Sequence, residues 1–84
     1  MAASVKIMNF AFAPSSLSVH TGARVTFTNQ DASYTHTVTS DSGVFDSGNL
    51  AYRASFSFTF TGKGSFPYHC AIHTNMKGTI TVTG

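Results

Sequence analysis

Apolar and polar residues alternate with a period of two along most of the chain, and almost nothing repeats at helical spacing, so the sequence predicts an all-β domain of short strands. Val5 and Ile7 share one face, whereas Phe10 and Phe12 have the opposite parity. That switch predicts a bulge or bend near Met8-Asn9, where the first strand changes partner. Ala13-Pro14-Ser15-Ser16 interrupts the pattern and Leu17 and Val19 resume it. Thr21-Gly22 then marks the turn of a hairpin into the strand that carries Val25 and Phe27. After Asn29, the polar loop Gln30-Asp31-Ala32-Ser33 leads to a fourth strand, His36-Thr37-Val38-Thr39.

Residues 40 to 54 are the least regular stretch, rich in Ser, Gly and Asp, with Val44, Phe45, Leu50 and Tyr52 available as anchors. Phe56, Phe58 and Phe60 put three rings on one face of the next strand, a face that must be buried, before the turn Thr61-Gly62-Lys63-Gly64. Phe66, Tyr68 and Cys70 share parity on the following strand, and Ile80 and Val82 alternate with threonines near the end. Seven or eight strands, with turns every eight to twelve residues, describe a two-sheet β-sandwich. Neither a repeat nor a linker interrupts it, so residues 1–84 are expected to form a single domain.

Composition narrows the function. Charged residues make up 10% and hydrophobic ones 42%, with eight Phe, which is the profile of a folded domain. The net charge is +2, and Lys6, Arg24, Arg53, Lys63 and Lys77 stand alone rather than in a basic run, so no nucleic-acid partner is expected. No apolar run approaches the roughly 18 to 20 residues of a membrane-spanning helix, and no signal peptide is visible. Met1-Ala2-Ala3 fits a cytoplasmic start as well as an initiator placed before a mature exported domain. A chain this short hides only about 60% of its unfolded surface, so a bound metal would help the fold. The single cysteine excludes an internal disulfide, and Cys70 needs its own explanation.

Strand parity supplies one. His36 shares its face with Val38, and Cys70 shares its face with Phe66 and Tyr68, so both side chains point inward at a strand end and approach one interior from the same pole. The run Cys70-Ala71-Ile72-His73-Thr74-Asn75-Met76 adds an imidazole and a thioether at three-residue steps in a tight loop. Two His and one Cys with a weak axial Met is the blue-copper arrangement, whereas zinc prefers a closed tetrahedron without a thioether. Alone, such a Cys or Met is usually core filler and such a His usually a surface residue. Three ligand types within one short polar loop outweigh those readings, and copper is the expected metal. His20 precedes a turn and His69 faces away from Cys70, so both are expected at the surface, and Met1 and Met8 have no partner pattern.

The segments Phe10-Ala11-Phe12-Ala13-Pro14, Val25-Thr26-Phe27-Thr28-Asn29, His36-Thr37-Val38, Phe45-Asp46-Ser47-Gly48, Phe66-Pro67-Tyr68-His69-Cys70 and Met76-Lys77-Gly78-Thr79-Ile80 resemble the cupredoxins, especially their plastocyanin and amicyanin branches, over nearly the whole chain. The Cys-to-Met loop, with two residues on either side of His73, is similar to the short amicyanin loop. The resemblance implies a Greek-key sandwich and one Cu(II)/Cu(I) ion held by His36, Cys70, His73 and Met76. It also implies that Thr37 bridges the two ligand loops through its hydroxyl. Ile72 and Thr74 stand where the family often has Pro, and the acidic patches of plant plastocyanins are missing.

The function expected from these features is electron transfer between redox proteins by a monomeric, non-enzymatic carrier, working in the periplasm or otherwise outside the cytoplasm. Phe12, Phe66 and Ile72 are expected to form the apolar shell of the metal, and partners to dock at His73, bordered by Ala71, Ile72 and Pro14. The alternatives are a copper-buffering module, a domain cut from a larger copper protein, or a metal-free adhesion sandwich.

Overall fold

The apolar positions of β1 (Ala2–Met8) and β4 (Ala23–Asn29) run side by side in parallel, with Val5 opposite Phe27, and turn Val5, Ile7, Val25 and Phe27 into the core. The computed structural model that places them describes residues 2–84. Among these, β1, β4, β2 (Ala11–Ala13) and β6 (Ser55–Phe60) form one sheet in the order β2-β1-β4-β6. The second sheet is β3 (Ser16–His20), β8 (Lys77–Thr83), β7 (Gly64–His69) and β5 (Thr39–Ser40), in the order β3-β8-β7-β5. The two sheets make the expected β-sandwich.

The core between them is aromatic at its centre. Phe27, Phe45, Phe60 and Tyr68 are buried, with Phe27 and Tyr68 edge to face at 5.3 Å between ring centroids. The face of β6 is graded: Phe60 is buried, whereas Phe56 and Phe58 are half-buried around Phe45. Of the four anchors expected in residues 40 to 54, Phe45 and Leu50 enter the core, and Val44 and Tyr52 stay outside.

Two connections differ from expectation. The Thr21-Gly22 turn does not close a hairpin, because β3 and β4 lie in opposite sheets. The Thr21 amide donates to Thr83 O in one sheet and the Gly22 amide to Phe60 O in the other, so the turn crosses the sandwich at one end. Near Met8-Asn9 the expected break is a bend rather than a bulge, and a full reversal: β1 and β2 form a tight hairpin with Met8 opposite Ala11. Asn9 and Phe10 form its turn with φ values of 54° and 56°, the positive pair that a two-residue hairpin of matching twist requires. Asn tolerates that region, whereas Phe does so at a cost of about 1–2 kcal/mol. The reversal explains the parity switch: Phe12 faces the core from β2, and Phe10 stands at the tip.

Candidate metal centre

Three connections meet at that end of the sandwich: the Asn9-Phe10 turn, the segment from Gln30 to Val38, and the loop from Cys70 to Met76 that joins β7 to β8. His36 is fixed by paired backbone bonds with Leu50, His36 N donating to Leu50 O at 3.1 Å and Leu50 N to His36 O at 2.7 Å. This single bridge does what a longer fourth strand was expected to do. The Cys70 loop closes on itself, with Cys70 N donating to Met76 O at 3.1 Å and Met76 N to His73 O at 2.9 Å.

These supports bring His36, Cys70 and His73 together, their donor atoms within 4.8 Å of one another. Cys70 Sγ lies 3.8 Å from His36 Nδ1 and 3.8 Å from His73 Nδ1, and the two nitrogens are 3.2 Å apart. A triangle of these sides leaves a central point about 2.1 Å from every corner, close to the bond lengths of imidazole nitrogen and thiolate to a first-row metal ion. The donor set therefore fits one soft metal ion held by two imidazoles and a thiolate. His36 and Cys70 are fully buried, Met76 is buried at the end of the loop, and His73 keeps a partly exposed edge.

Two backbone amides fix the sulfur in place. Those of Thr37 and His73 both donate to Cys70 Sγ, each at 3.4 Å. The Thr37 hydroxyl accepts from the Ala71 amide at 2.7 Å, so the bridge between the ligand loops is present.

Asp31 is the residue that sequence reasoning missed. Its Oδ2 accepts from His36 Nε2 at 2.7 Å and from the Phe10 amide at 3.0 Å, and its Oδ1 accepts from the Asn9 amide at 2.6 Å. Burial alone pushes the Asp31 carboxyl up, but those two amides and the His36 ring together outweigh it and hold it below its ordinary value. A carboxylate cannot donate, so His36 carries its proton on Nε2 and presents the Nδ1 lone pair to the other donors. In the sequence Asp31 is one of several polar loop residues, and only its distance of five from His36 hints at a partner.

The surroundings of His73 also differ from expectation. Phe10 is the ring that borders it, edge-on at 5.0 Å between centroids, and the same ring meets His36 at 5.6 Å and Tyr34 at 4.6 Å. Phe12 instead packs on Tyr68 and Phe66 on Phe60, while Ile72 is 50% exposed beside the site. The remaining histidines stand apart from the donor group. His20 is exposed, and the half-buried His69 donates through Nδ1 to Asp41 at 2.5 Å.

The family model for the cupredoxin-like domain matches residues 1–82. No curated protein sequence matches the chain. Among solved structures, a purple cupredoxin from Nitrosopumilus maritimus superposes with a TM-score of 0.88 at 27% identity, covering 96% of this chain and 99% of its own. The Cu(I) form of an amicyanin mutant gives 0.91 at 30% identity over 98% of this chain and 82% of its own. A copper-containing nitrite reductase from Thermus scotoductus gives 0.93 at 26% identity, where this whole chain corresponds to 23% of the enzyme.

Proposed function

This chain belongs to the cupredoxin-like family, and from that membership we propose that it carries single electrons between redox proteins, using one copper ion held by His36, Cys70, His73 and Met76. The observation that carries the reading is the triangle of His36 Nδ1, Cys70 Sγ and His73 Nδ1 around one point. Copper supplies the one-electron couple Cu(II)/Cu(I) when bound, and soft sulfur donors mixed with imidazole suit both states.

The protein's part is to hold the donors still and dry. His36 is locked between the Leu50 backbone and Asp31, and Cys70 between the Thr37 and His73 amides, so neither needs to move when the charge at the centre changes. Burial of His36, Cys70 and Met76 excludes water from their side. The partly exposed edge of His73 is the port, and Phe10, Tyr34 and Ile72, each more than 40% exposed, surround it with apolar surface on which a redox partner docks transiently. The chain acts as a monomer outside the cytoplasm, and it is a carrier rather than an enzyme.

Titrating the purified protein with Cu(II) tests this. An intense visible band with reversible one-electron voltammetry is expected; tight colourless Cu(I) binding without cycling would make it a buffer. No binding at all would leave a metal-free sandwich.

A further inference from the structure

We infer that Asp31 is a positioning residue of the metal centre, one carboxylate that sets both the ring of His36 and the aromatic cover of Phe10. The inference rests on the copper reading of the site. Its ground is the threefold use of a single buried side chain. Oδ2 takes the Nε2 proton of His36 at 2.7 Å, while the two oxygens between them take the amides of Asn9 and Phe10 at 2.6 and 3.0 Å.

Those two amides belong to residues in the left-handed region, where Phe is disfavoured. A turn of this kind persists where its surroundings hold it. Here the holder is Asp31, and the result is a ring edge-on to both imidazoles, 5.6 Å from His36 and 5.0 Å from His73. The carboxylate that fixes the ligand therefore also fixes the lid on the ligands.

The second consequence is electrostatic. Asp31 sits on the far side of the His36 ring from the donor triangle, with its side chain only 10% exposed, so little water screens it. With the Cys70 thiolate it is a second anionic group at the site. Such a charge makes the imidazole a stronger donor and favours the metal state of higher charge. Asp31 thus holds the reduction potential below the value that the same ligands would have with a neutral partner.

The test compares wild type, Asp31→Asn and Asp31→Glu, with one readout that needs no copper. In the metal-free wild type, nitrogen NMR of the His36 ring is expected to find the proton on Nε2 in slow exchange with water. In Asp31→Asn that exchange speeds up, and after copper loading the potential shifts upward. Asp31→Glu, which keeps the charge, moves the potential back toward wild type. A His36 ring protonated on Nδ1 in the metal-free wild type would overturn the inference even if the Asn variant does not fold, and so would an Asn variant whose potential is unchanged or lower. A wild-type protein that takes up no copper refutes the copper reading instead, and the ring proton still decides whether Asp31 positions His36.

Discussion

The Thr37 hydroxyl accepts a 2.7 Å hydrogen bond from the Ala71 amide, which ties the segment bearing His36 to the loop bearing Cys70 and His73. The same hydroxyl lies 2.9 Å from Thr39 Oγ1, which in turn donates to Asp46 at 3.4 Å, so the tie continues into the irregular stretch before β6. Thr37→Val keeps the shape and leaves the Ala71 amide without its partner, a loss of about 1–3 kcal/mol. Melting of the metal-free protein should fall by about 4–8 °C per kcal/mol, and Thr37→Ser should restore most of it. Equal melting of the Val variant and wild type would show that the bond adds nothing to stability.

Cys70→Ser is expected to abolish the intense visible absorption, because serine offers no soft, easily oxidised electron pair to the metal. The spectrum of the copper-loaded variant decides it. A variant that remains blue would place the colour on another residue.

Met76→Gln should keep a coloured site and lower the potential, since an amide oxygen is a harder donor that favours Cu(II). Met76 is only 2% exposed, so burying the amide should also cost about 1–3 kcal/mol of stability. Voltammetry and a melting curve measure the two effects separately. An unaltered potential would mean that the thioether is not a ligand.

Phe45→Ala is the core change expected to hurt most. Phe45 is buried and packs with Phe27, Phe56, Phe58, Phe60 and Tyr68, so removing its ring should cost about 3–5 kcal/mol. The metal-free variant is expected to be largely unfolded at room temperature, and copper should recover it by binding the native state alone. Circular dichroism with and without copper checks both halves.

Gly78 lies opposite Tyr68 across the β7–β8 pairing, and the Tyr68 ring covers it. A Cβ at this position would stand 2.5 Å from Tyr68 Cζ, so Gly78→Ala must displace a ring buried in the core, at about 1–3 kcal/mol. Tyr68→Phe should be close to neutral, because the buried hydroxyl has no hydrogen-bond partner to lose. Urea midpoints of the two variants give the comparison.

Alternation by twos made the strand faces of Val5 and Ile7, Val25 and Phe27, and Ile80 and Val82 legible from sequence, since burial acts on each strand separately. The cluster of His36, Cys70 and His73 was legible for a different reason: Cys70 and His73 are neighbours in the chain, and His36 needed only an inward parity. Thr21-Gly22 announces a reversal without saying which sheet the chain enters next, and that choice is made by Thr83 and Phe60, far along the chain. Asp31 and Phe10 were hidden in the same way. A polar loop residue becomes a buried partner, and a core-type ring becomes a surface lid, only once a turn 21 residues upstream folds back onto it.

The placement of β8 governs the order in which the protein can be made. This last strand is inserted between β3 and β7, parallel to one and antiparallel to the other, so both its neighbours wait for it. The loop from Cys70 to Met76 is closed by the pairing of His69 with Lys77 at the start of that strand. A chain still lacking β8 thus has neither its second sheet nor a closed ligand loop, and pairings of such long sequence separation form slowly. The ligand loop is therefore complete only once β8 has docked between its two neighbours, and metal loading follows that docking.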